Sequence, residues 1–301
     1  MLSRIPFSRS CRPRLWKDRL LGATERSGQR CLSSTYYDSQ SGLHLPVHDE
    51  TEIRLFLDVR NREEPFVPQR LNKDRLEADE VSDALKELVQ KGIHGLILPA
   101  IKFPRDLRNL HTLSVIAPPG FCVLTDSTNS ETETVDDGLL RAKEASSSNT
   151  NFSKILDYRN DTSDLGESLQ KATHKGLHTT VSVGPDIYDG DGDEVEPITL
   201  ANNIASMIDS SGGCDYIWIK SDQTTTSSKD ADTMVQICEE LVYLDVAGAT
   251  IKSRLLVDAL NEDMVEDIVF AGVNKYVIDN EDQAQLVDDV ANEQGKSLLR
   301  L

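Results

Sequence analysis

The sequence predicts a (β/α)8 TIM barrel, in which eight parallel strands form a closed barrel inside a ring of helices. From residue 53 onward, short apolar runs of strand length alternate with segments of helical spacing. The runs are continuous and rich in β-branched residues, as are strands that are buried on both faces. Eight such units in about 250 residues is the number that closes a barrel. The predicted strands are 53–59, 94–99, 121–125, 154–158, 179–183, 216–220, 254–258 and 275–278.

Helices between these strands are predicted from apolar residues that recur at i, i+3, i+4 and i+7. The pattern is weakest between the third and fourth strands, where Leu139, Leu140 and Ala142 are the only anchors. The clearer apolar stripes comprise Val81, Leu85, Leu88 and Val89, then Leu200, Ile204, Met207 and Ile208, then Met234, Ile237, Leu241 and Leu244, then Met264, Ile268 and Val269, and finally Leu286 and Val290.

Strict alternation of strand and helix implies parallel pairing through right-handed crossovers. An open, doubly wound sheet is the alternative architecture. A nucleotide-binding sheet of that kind usually has a glycine-rich turn after its first strand, whereas this turn reads Asp58-Val59-Arg60-Asn61. We therefore expect a closed barrel whose function lies at the carboxyl ends of the strands.

Charge and composition exclude several classes of function. The 301 residues include 51 acidic and 32 basic side chains, and the net charge is −19. Because such a surface repels a phosphate backbone, we expect no binding to nucleic acid. No apolar stretch is long enough to cross a membrane. The five cysteines form no CxxC pair, which favours a reducing compartment over a disulfide framework.

The amino-terminal segment differs sharply from the rest of the chain. Residues 1–37 carry eight basic and two acidic side chains, interleaved with serines and large apolar residues. This composition is typical of an organelle transit peptide and predicts cleavage near Ser33 and delivery to the mitochondrial matrix. A plastid is the alternative destination, and a basic arm that binds an acidic partner is the alternative role. Residues 38–301 are predicted to form one barrel domain.

Polar residues at the strand ends are the candidates for function, and seven of the eight ends carry an aspartate. Lys220 stands out because it closes an apolar strand and is expected at the rim of the barrel among acids. One interpretation is a nucleophile that forms a Schiff base, since partial burial favours the neutral amine. The other is a structural lysine paired with Asp157, Asp186 or Asp222.

Several stretches resemble the deoxyribose-phosphate aldolase family. Residues 214–222, followed by the threonine run 224–226, resemble the sixth strand of that family and its Schiff-base lysine. Residues 96–99, 154–157 and 255–258 are similar to its second, fourth and seventh strands. The resemblance covers about 200 residues. It implies an aldolase-type barrel and a carbon–carbon lyase. Transaldolases, which are related lysine-dependent aldolases, are a second resemblance through residues 55–58.

The resemblance also implies roles for individual residues. Lys220 would form the Schiff base, Asp157 would shuttle protons, and Asp222 or Asp258 would position a water or a substrate hydroxyl. The partner would be a small carbonyl or sugar-type substrate, and homo-oligomerisation stays open. The residues expected to bind the substrate are Asp58, Lys102, Asp126, Arg159 and Ser221.

Two departures from the family pattern suggest an altered substrate. The family has a second lysine on its seventh strand, where this chain has Val257 and Asp258. Phosphate-binding glycines follow the seventh and eighth strands in such enzymes, but residues 259–261 and 279–281 contain none. We therefore expect a carbonyl compound other than a sugar phosphate, or alternatively a catalytically degenerate scaffold or subunit in the organelle.

A magnesium-dependent lyase is a further alternative. Asp126, Asp157 and Asp186 follow adjacent predicted strands, and Mg²⁺ prefers carboxylate oxygens. Lys102, Arg159 and Lys220 would neutralise the same acids if no metal binds. The Schiff-base interpretation requires no cofactor.

Overall fold

A computed structural model describes residues 35–38, 43–46, 52–60, 77–101, 104–126, 132–146, 151–158, 163–184, 196–221, 228–246 and 249–300. The predicted alternation of strand and helix is confirmed. The barrel strands are β1 Glu52–Asp58, β2 Ile93–Leu98, β3 Cys122–Asp126, β4 Asn151–Asp157, β5 His178–Val183, β6 Tyr216–Ile219, β7 Leu255–Asp258 and β8 Lys275–Ile278. The helices are α1 Ala78–Gln90, α2 Pro104–Ile116, α3 Thr132–Ala145, α4 Ser163–His174, α5 Pro197–Ser210, α6 Ser228–Val242, α7 Glu262–Ala271 and α8 Glu281–Glu293.

The eight strands form a closed parallel barrel, as predicted. Each strand pairs with its neighbour in chain order, and β8 closes the ring by pairing with β1, where Tyr276 lies opposite Leu55. Near the carboxyl terminus, a short strand at Ser297–Leu298 also pairs in parallel with the start of β1. An antiparallel hairpin of Thr35–Asp38 and Leu43–Pro46 precedes the barrel.

Alternate strand residues divide between two cores, as the two-residue period of a strand requires. One set packs between the barrel and its helices, and Leu55 and Leu57 belong to it. The other set fills the interior of the barrel and comprises Phe56, Ile97, Cys122, Leu124, Ile155, Tyr216, Trp218, Leu256 and Val277. The interior is therefore a packed core, and any substrate must bind at one of its ends.

Glycine is required at one interior position. A Cβ built at Gly95 on β2 would lie 2.3 Å from the ring of Phe56 on β1. That distance is far below van der Waals contact, so the aromatic ring occupies the space that a side chain would need. This pair sets how closely β1 and β2 pack inside the barrel.

The amino end of the barrel contains a buried polar group of residues. The Sγ of Cys122 lies 3.1 Å from the hydroxyl of Tyr216. Lys275 Nζ donates to the carbonyl of Ser253 at 2.6 Å and to Oδ1 of Asn274 at 3.1 Å. Burial, assisted by the positive charge of Arg54, lowers the pKa of Lys275 to about 7. Lys275 therefore lies at the amino end of the barrel, opposite the predicted site, where burial disfavours its positive charge.

A buried ion pair joins α3 to β4. Lys154 Nζ donates to Asp136 Oδ1 at 2.8 Å, and Lys175 Nζ donates to Asp136 Oδ2 at 2.9 Å. The Lys154 and Asp136 side chains are 8% and 10% exposed. Burial alone would raise the pKa of Asp136, but the bonds and charges of the two lysines outweigh it and lower that pKa.

Element bounds differ from the predictions in ways that have local causes. Strand β4 begins at Asn151, three residues before the predicted start, because Cys122 to Asp126 on β3 pair with Asn151 to Ile155. Arg254, predicted in a strand, instead ends a turn of 3-10 helix at Ile251–Arg254. Helices α2 and α4 had no predicted stripe, and α3 is longer than its weak pattern suggested.

Candidate active site

The carboxyl ends of the barrel strands bring six of the predicted site residues to one end of the molecule. Asp58 ends β1, Asp126 ends β3, Asp157 ends β4 and Asp258 ends β7. Lys220 and Ser221 directly follow β6. The other predicted site residues, Lys102, Arg159 and Asp222, lie outside the described residues, as does Asp186.

Lys220 is ion-paired with Asp157 across the mouth of the barrel. Its Nζ donates to Asp157 Oδ1 at 2.8 Å, and its backbone N–H donates to the carbonyl of Val183 at 2.8 Å. The Ser182 hydroxyl donates to the same carboxylate oxygen. Ser182 lies directly opposite Asp157 in the register of β4 and β5. Both partners of the ion pair stay partly solvated, with 21% of the Lys220 side chain and 28% of the Asp157 side chain exposed.

Trp218 forms the floor of this site. The side chain is almost completely buried, and its Nε1 donates to Asp258 Oδ1 at 2.7 Å. Lys220 Nζ lies 5.0 Å from the centroid of the indole, and the guanidinium carbon of Arg60 lies 4.9 Å from it. Both cations are within the range of cation–π attraction. The indole therefore connects the lysine, an arginine and a buried carboxylate.

Asp258 is held entirely by groups of the protein. Besides the Trp218 bond, its Oδ2 accepts the backbone N–H of Ser221 at 2.8 Å and the Ser221 hydroxyl at 3.1 Å. Burial raises the pKa of Asp258 to about 6, with a smaller contribution from the negative charge of Asp58, although these hydrogen bonds favour ionisation. Asp258 thus titrates near neutral pH.

Asp58 is covered by Arg60. Arg60 Nε donates to both carboxylate oxygens of Asp58 at 2.9 Å, and its Nη2 donates to Oδ2 at 2.5 Å. The Nη1 of Arg60 also lies 3.9 Å from Asp126. Arg60 was not among the predicted substrate-binding residues. It sits between two of them and neutralises part of the acidic rim.

A pocket of about 220 Å3 opens beside this group, at the ends of β7 and β8. Side chains that cap backbone N–H groups shape the wall of the pocket. Asn280 Oδ1 accepts the backbone N–H of Gln283 at 2.9 Å, and Gln283 Oε1 accepts the N–H of Asp279 at 2.6 Å. The lining residues are Ser221, Asp258, Ala259, Leu260, Val277, Asp279, Asn280 and Gln283.

Two of the three predicted carboxylate ligands for magnesium, Asp126 and Asp157, lie in the described part of the site, and Asp186 lies outside the described residues. Asp126 is near Arg60, and Asp157 is bonded to Lys220 and Ser182. Among the described residues, no group of three histidine, cysteine or acidic side chains has a geometry that could hold a metal ion.

Sequence reasoning missed Trp218, Arg60 and Ser182 as members of the site. A signal for Trp218 was present, since it lies two residues before Lys220 on the same face of β6. Arg60 and Ser182 also stood among the polar residues at the predicted strand ends, but nothing in the sequence showed that Arg60 covers Asp58 or that Ser182 bonds Asp157 on the neighbouring strand.

Structural comparison finds the same fold in solved enzymes of low sequence identity. Pyruvate carboxylase from Rhizobium etli matches with a TM-score of 0.54 and 11% identity, over 83% of this chain and 26% of the carboxylase. The carboxyl transferase domain of that enzyme, with pyruvate and biocytin, matches with a TM-score of 0.53 and 10% identity, over 83% of this chain and 44% of the domain. Hydroxymethylglutaryl-CoA lyase from Pseudomonas aeruginosa gives a TM-score of 0.48 and 13% identity, over 76% of each chain.

The two matches with TM-scores above 0.5 show a shared barrel fold. No protein-family model matches the chain, and no curated protein matches it. The fold and the contacts at its carboxyl end define a TIM-barrel protein with an ion-paired lysine on a tryptophan floor. Within the described ranges, none of the helices combines the length and apolar character that a membrane span needs.

Proposed function

We propose that this protein is a carbon–carbon lyase of the aldolase type, in which the amine of Lys220 condenses with a ketone or an aldehyde. The observation that carries the proposal is the 2.8 Å contact between Lys220 Nζ and Asp157 at the carboxyl end of the barrel. A nucleophile within hydrogen-bond distance of a base, with the base oriented by a third group, is the arrangement that covalent catalysis uses. Ser182 is that third group.

The proton balance of the first step assigns a task to Asp157. The carboxylate stabilises the ammonium form of Lys220, so the amine becomes nucleophilic only when a proton passes to Asp157. The amine then attacks the carbonyl carbon, and Asp157 returns the proton to the carbonyl oxygen. The nitrogen then passes one of its two protons, through Asp157, to the new hydroxyl, and loss of water gives an iminium ion on Lys220. Asp157 is within reach of each of these transfers.

The iminium ion then accepts the electron pair of the breaking bond. Asp157 accepts the proton of the substrate's β-hydroxyl, the carbon–carbon bond cleaves, and an aldehyde departs while an enamine stays on Lys220. Asp157 then returns that proton to the enamine carbon, and hydrolysis of the resulting iminium ion releases the second product and restores the amine. The negative and aromatic surroundings of Lys220, which include the Trp218 ring at 5.0 Å, favour the positive charge of the iminium ion.

Reductive trapping tests this proposal. The full chain is incubated with short aldehydes and 2-oxo acids in the presence of borohydride, and peptide mass mapping then locates any adduct. We expect one adduct, at Lys220, and none in Lys220→Met. The matched control is Lys143→Arg, a substitution at an exposed helix lysine that bonds the carbonyl of Gly176. Absence of an adduct with every compound, in a correctly folded chain, would contradict a Schiff-base lyase.

A non-catalytic scaffold is the second candidate. It is favoured by the engagement of Asp58 by Arg60 and of Asp258 by Trp218 and Ser221, as in a structural network. Such a scaffold would form a stable complex on native gels, and Lys220→Met would leave that complex intact.

For the magnesium-dependent alternative, activity would be lost on chelation and restored by Mg²⁺.

We also propose that residues 1–37 direct the chain to the mitochondrial matrix. The support is the basic, acid-poor composition of this segment. Fusing the segment to a fluorescent reporter tests the proposal. A plastid signal would change the destination, and a diffuse signal would contradict targeting.

A further inference from the structure

We propose that the pocket at the ends of β7 and β8 binds an uncharged, hydroxyl-bearing tail of the carbonyl substrate and rejects a phosphorylated tail. This inference rests on the proposed lyase function, because it concerns the same substrate. The pocket adjoins the proposed nucleophile, since Ser221, the residue after Lys220, lines its wall.

Three backbone N–H groups near the starts of α7 and α8 are already bonded by side chains of the protein. Phosphate groups commonly bind the free N–H groups at the start of a helix. At α7, Asn261 Oδ1 accepts the N–H of Met264 at 3.0 Å. At α8, Asn280 Oδ1 accepts the N–H of Gln283, and Gln283 Oε1 accepts the N–H of Asp279. A phosphate would have to displace these side chains to reach those three N–H groups.

The charge of the pocket also opposes a phosphate. Asp258 and Asp279 line it, and its described lining residues include no lysine, arginine or histidine. The first turns of the two adjacent helices add further acids, namely Glu262, Asp263, Glu281 and Asp282. A phosphate dianion here would meet like charges at close range, which costs affinity.

The remaining groups match a neutral polyol. The caps use the amide oxygens of Asn280 and Gln283, so the NH2 groups of these side chains are their donors. Asp279 and Ser221 line the wall with oxygen atoms that can accept, the Ser221 hydroxyl donating its own proton to Asp258, while Leu260 and Val277 contribute apolar wall. Donors and acceptors beside an apolar wall suit the hydroxyls and carbon chain of a short sugar.

An ammonium-bearing tail fits less well. Both oxygens of Asp258 already accept hydrogen bonds, from Trp218 on one side and from Ser221 on the other. The pocket also presents donors, the NH2 groups of Asn280 and Gln283, which an ammonium would leave without an acceptor. A hydroxyl can both donate and accept, whereas an ammonium can only donate.

The test has one arm for the pocket and one for the lyase. Binding of glycerol and of glycerol 3-phosphate to Lys220→Met is compared by saturation-transfer NMR, which needs no chemistry at Lys220. We expect glycerol to bind in competition with erythritol, and glycerol 3-phosphate to bind about tenfold more weakly or not at all. In the wild-type chain, borohydride trapping at Lys220 should likewise favour glyceraldehyde over glyceraldehyde 3-phosphate.

Gln283→Lys provides the decisive variant. It removes the cap on the Asp279 N–H and adds a cation to the pocket, so we expect the preference to shift toward glycerol 3-phosphate by about tenfold. Gln285→Lys makes the same charge change on an exposed part of α8, where Gln285 bonds Asp289, and should leave the preference unchanged.

Equal or tighter binding of glycerol 3-phosphate to Lys220→Met would overturn the inference, as would tighter binding of ethanolamine than of glycerol. An equal response to the two lysine substitutions would do the same. Normal discrimination in the NMR arm without any adduct in the trapping arm would overturn the lyase and leave the pocket assignment standing.

Discussion

At the scale of single residues, Trp218 organises the site. Its indole N–H binds Asp258, and its ring lies near the charges of Lys220 and Arg60. A tryptophan suits this position because one end of the side chain donates a hydrogen bond while the ring face attracts cations. The residue fills the interior of the barrel and at the same time positions the groups above it.

The fluorescence of Trp218 should report the titration of Asp258. The chain contains two tryptophans, so a Trp16→Phe background isolates Trp218. Because burial raises the pKa of Asp258 to about 6, we expect an emission change with a midpoint near pH 6. Asp258→Asn should abolish the transition. The acid binds its proton more tightly in the folded chain than in the unfolded one, so its contribution to stability falls as the pH rises from about 4 to 6. Emission that stays constant between pH 5 and 7 would contradict the shift.

Asp157 should control chemistry much more than stability. Asp157→Asn keeps the size of the side chain and removes the base, so the trapping rate at Lys220 should fall by at least about tenfold. The free energy of unfolding should change by less than about 1 kcal/mol, because both partners of the ion pair are partly solvated. Asp288→Asn, which breaks an ion pair with Arg300 at 2.7 Å, is the control and should leave trapping unchanged. An unaltered rate in Asp157→Asn would exclude the proposed proton shuttle.

At the scale of secondary-structure elements, the packing of α3 against β4 depends on the buried ion pair between Asp136 and Lys154. Asp136→Ala leaves Lys154 buried without its carboxylate, so we expect the free energy of unfolding to fall by about 3–5 kcal/mol. Adding Lys154→Met should restore much of the loss, since it removes the uncompensated charge. Denaturant titrations of the single and double variants measure both effects, and additive losses would argue against the pair.

Because of the same ion pair, the stability of the protein should be sensitive to acid. The lysines lower the pKa of Asp136, so its stabilising contribution is present above the ordinary aspartate pKa and is lost as the pH falls through the lowered value. Wild-type protein should therefore lose more stability than the Asp136→Ala/Lys154→Met variant in strong acid. Parallel stability curves for the two proteins would contradict this assignment.

Packing of β1 against β2 should fail if Gly95 gains a side chain. Gly95→Ala would place a methyl group 2.3 Å from the Phe56 ring before any adjustment, and we expect the free energy of unfolding to fall by about 1–3 kcal/mol. Phe56→Leu in the same chain should recover part of it by making space. Gly120→Ala is the comparison, because that glycine has a φ of +76° and nothing within 4 Å, so backbone strain of about 1 kcal/mol is its main cost. Thermal unfolding of the wild type and of these three variants measures the loss of stability in each.

At the scale of the whole molecule, the two ends of the barrel have different electrostatic characters. The carboxyl end gathers acids around Lys220 and Arg60, whereas the amino end buries Lys275 near Arg54, Cys122 and Tyr216. The mouth therefore carries partly solvated charges, whereas the amino end holds a buried lysine whose positive charge is disfavoured.

Stability should rise with pH because of Lys275. Its pKa is about 7 in the folded protein and 10.5 ordinarily, so between these values the unfolded chain holds a proton that the folded chain does not. The free energy of unfolding should therefore increase relative to Lys275→Met by up to about 1.4 kcal/mol per pH unit over this range. Subtracting the Lys275→Met curve removes the titrations of cysteine, tyrosine and the other lysines. A difference that stays flat from pH 7 to 10 would show that Lys275 remains charged.

The fold was predictable because a strand that is buried on both faces has a continuous apolar sequence, which can be recognised locally. Runs such as residues 216–220 and 275–278 need only their own composition to indicate a strand, and the order of the units then implies parallel pairing. Helices α2 and α4 escaped prediction because their exposed faces are large and their apolar stripes short. The start of β4 at Asn151 depended on its pairing with Cys122, which no local pattern encodes.

By itself, the sequence determined the eight-unit barrel and the position of Lys220 at the end of the sixth strand, since both follow from the spacing of apolar residues along the chain. Only the tertiary structure decided that Asp157 is the partner of Lys220, that Ser182 orients Asp157, and that Arg60 and Trp218 complete the site. Those contacts join strands far apart in the chain, and they depend on the register and closure of the barrel, which bring distant side chains within 3–5 Å.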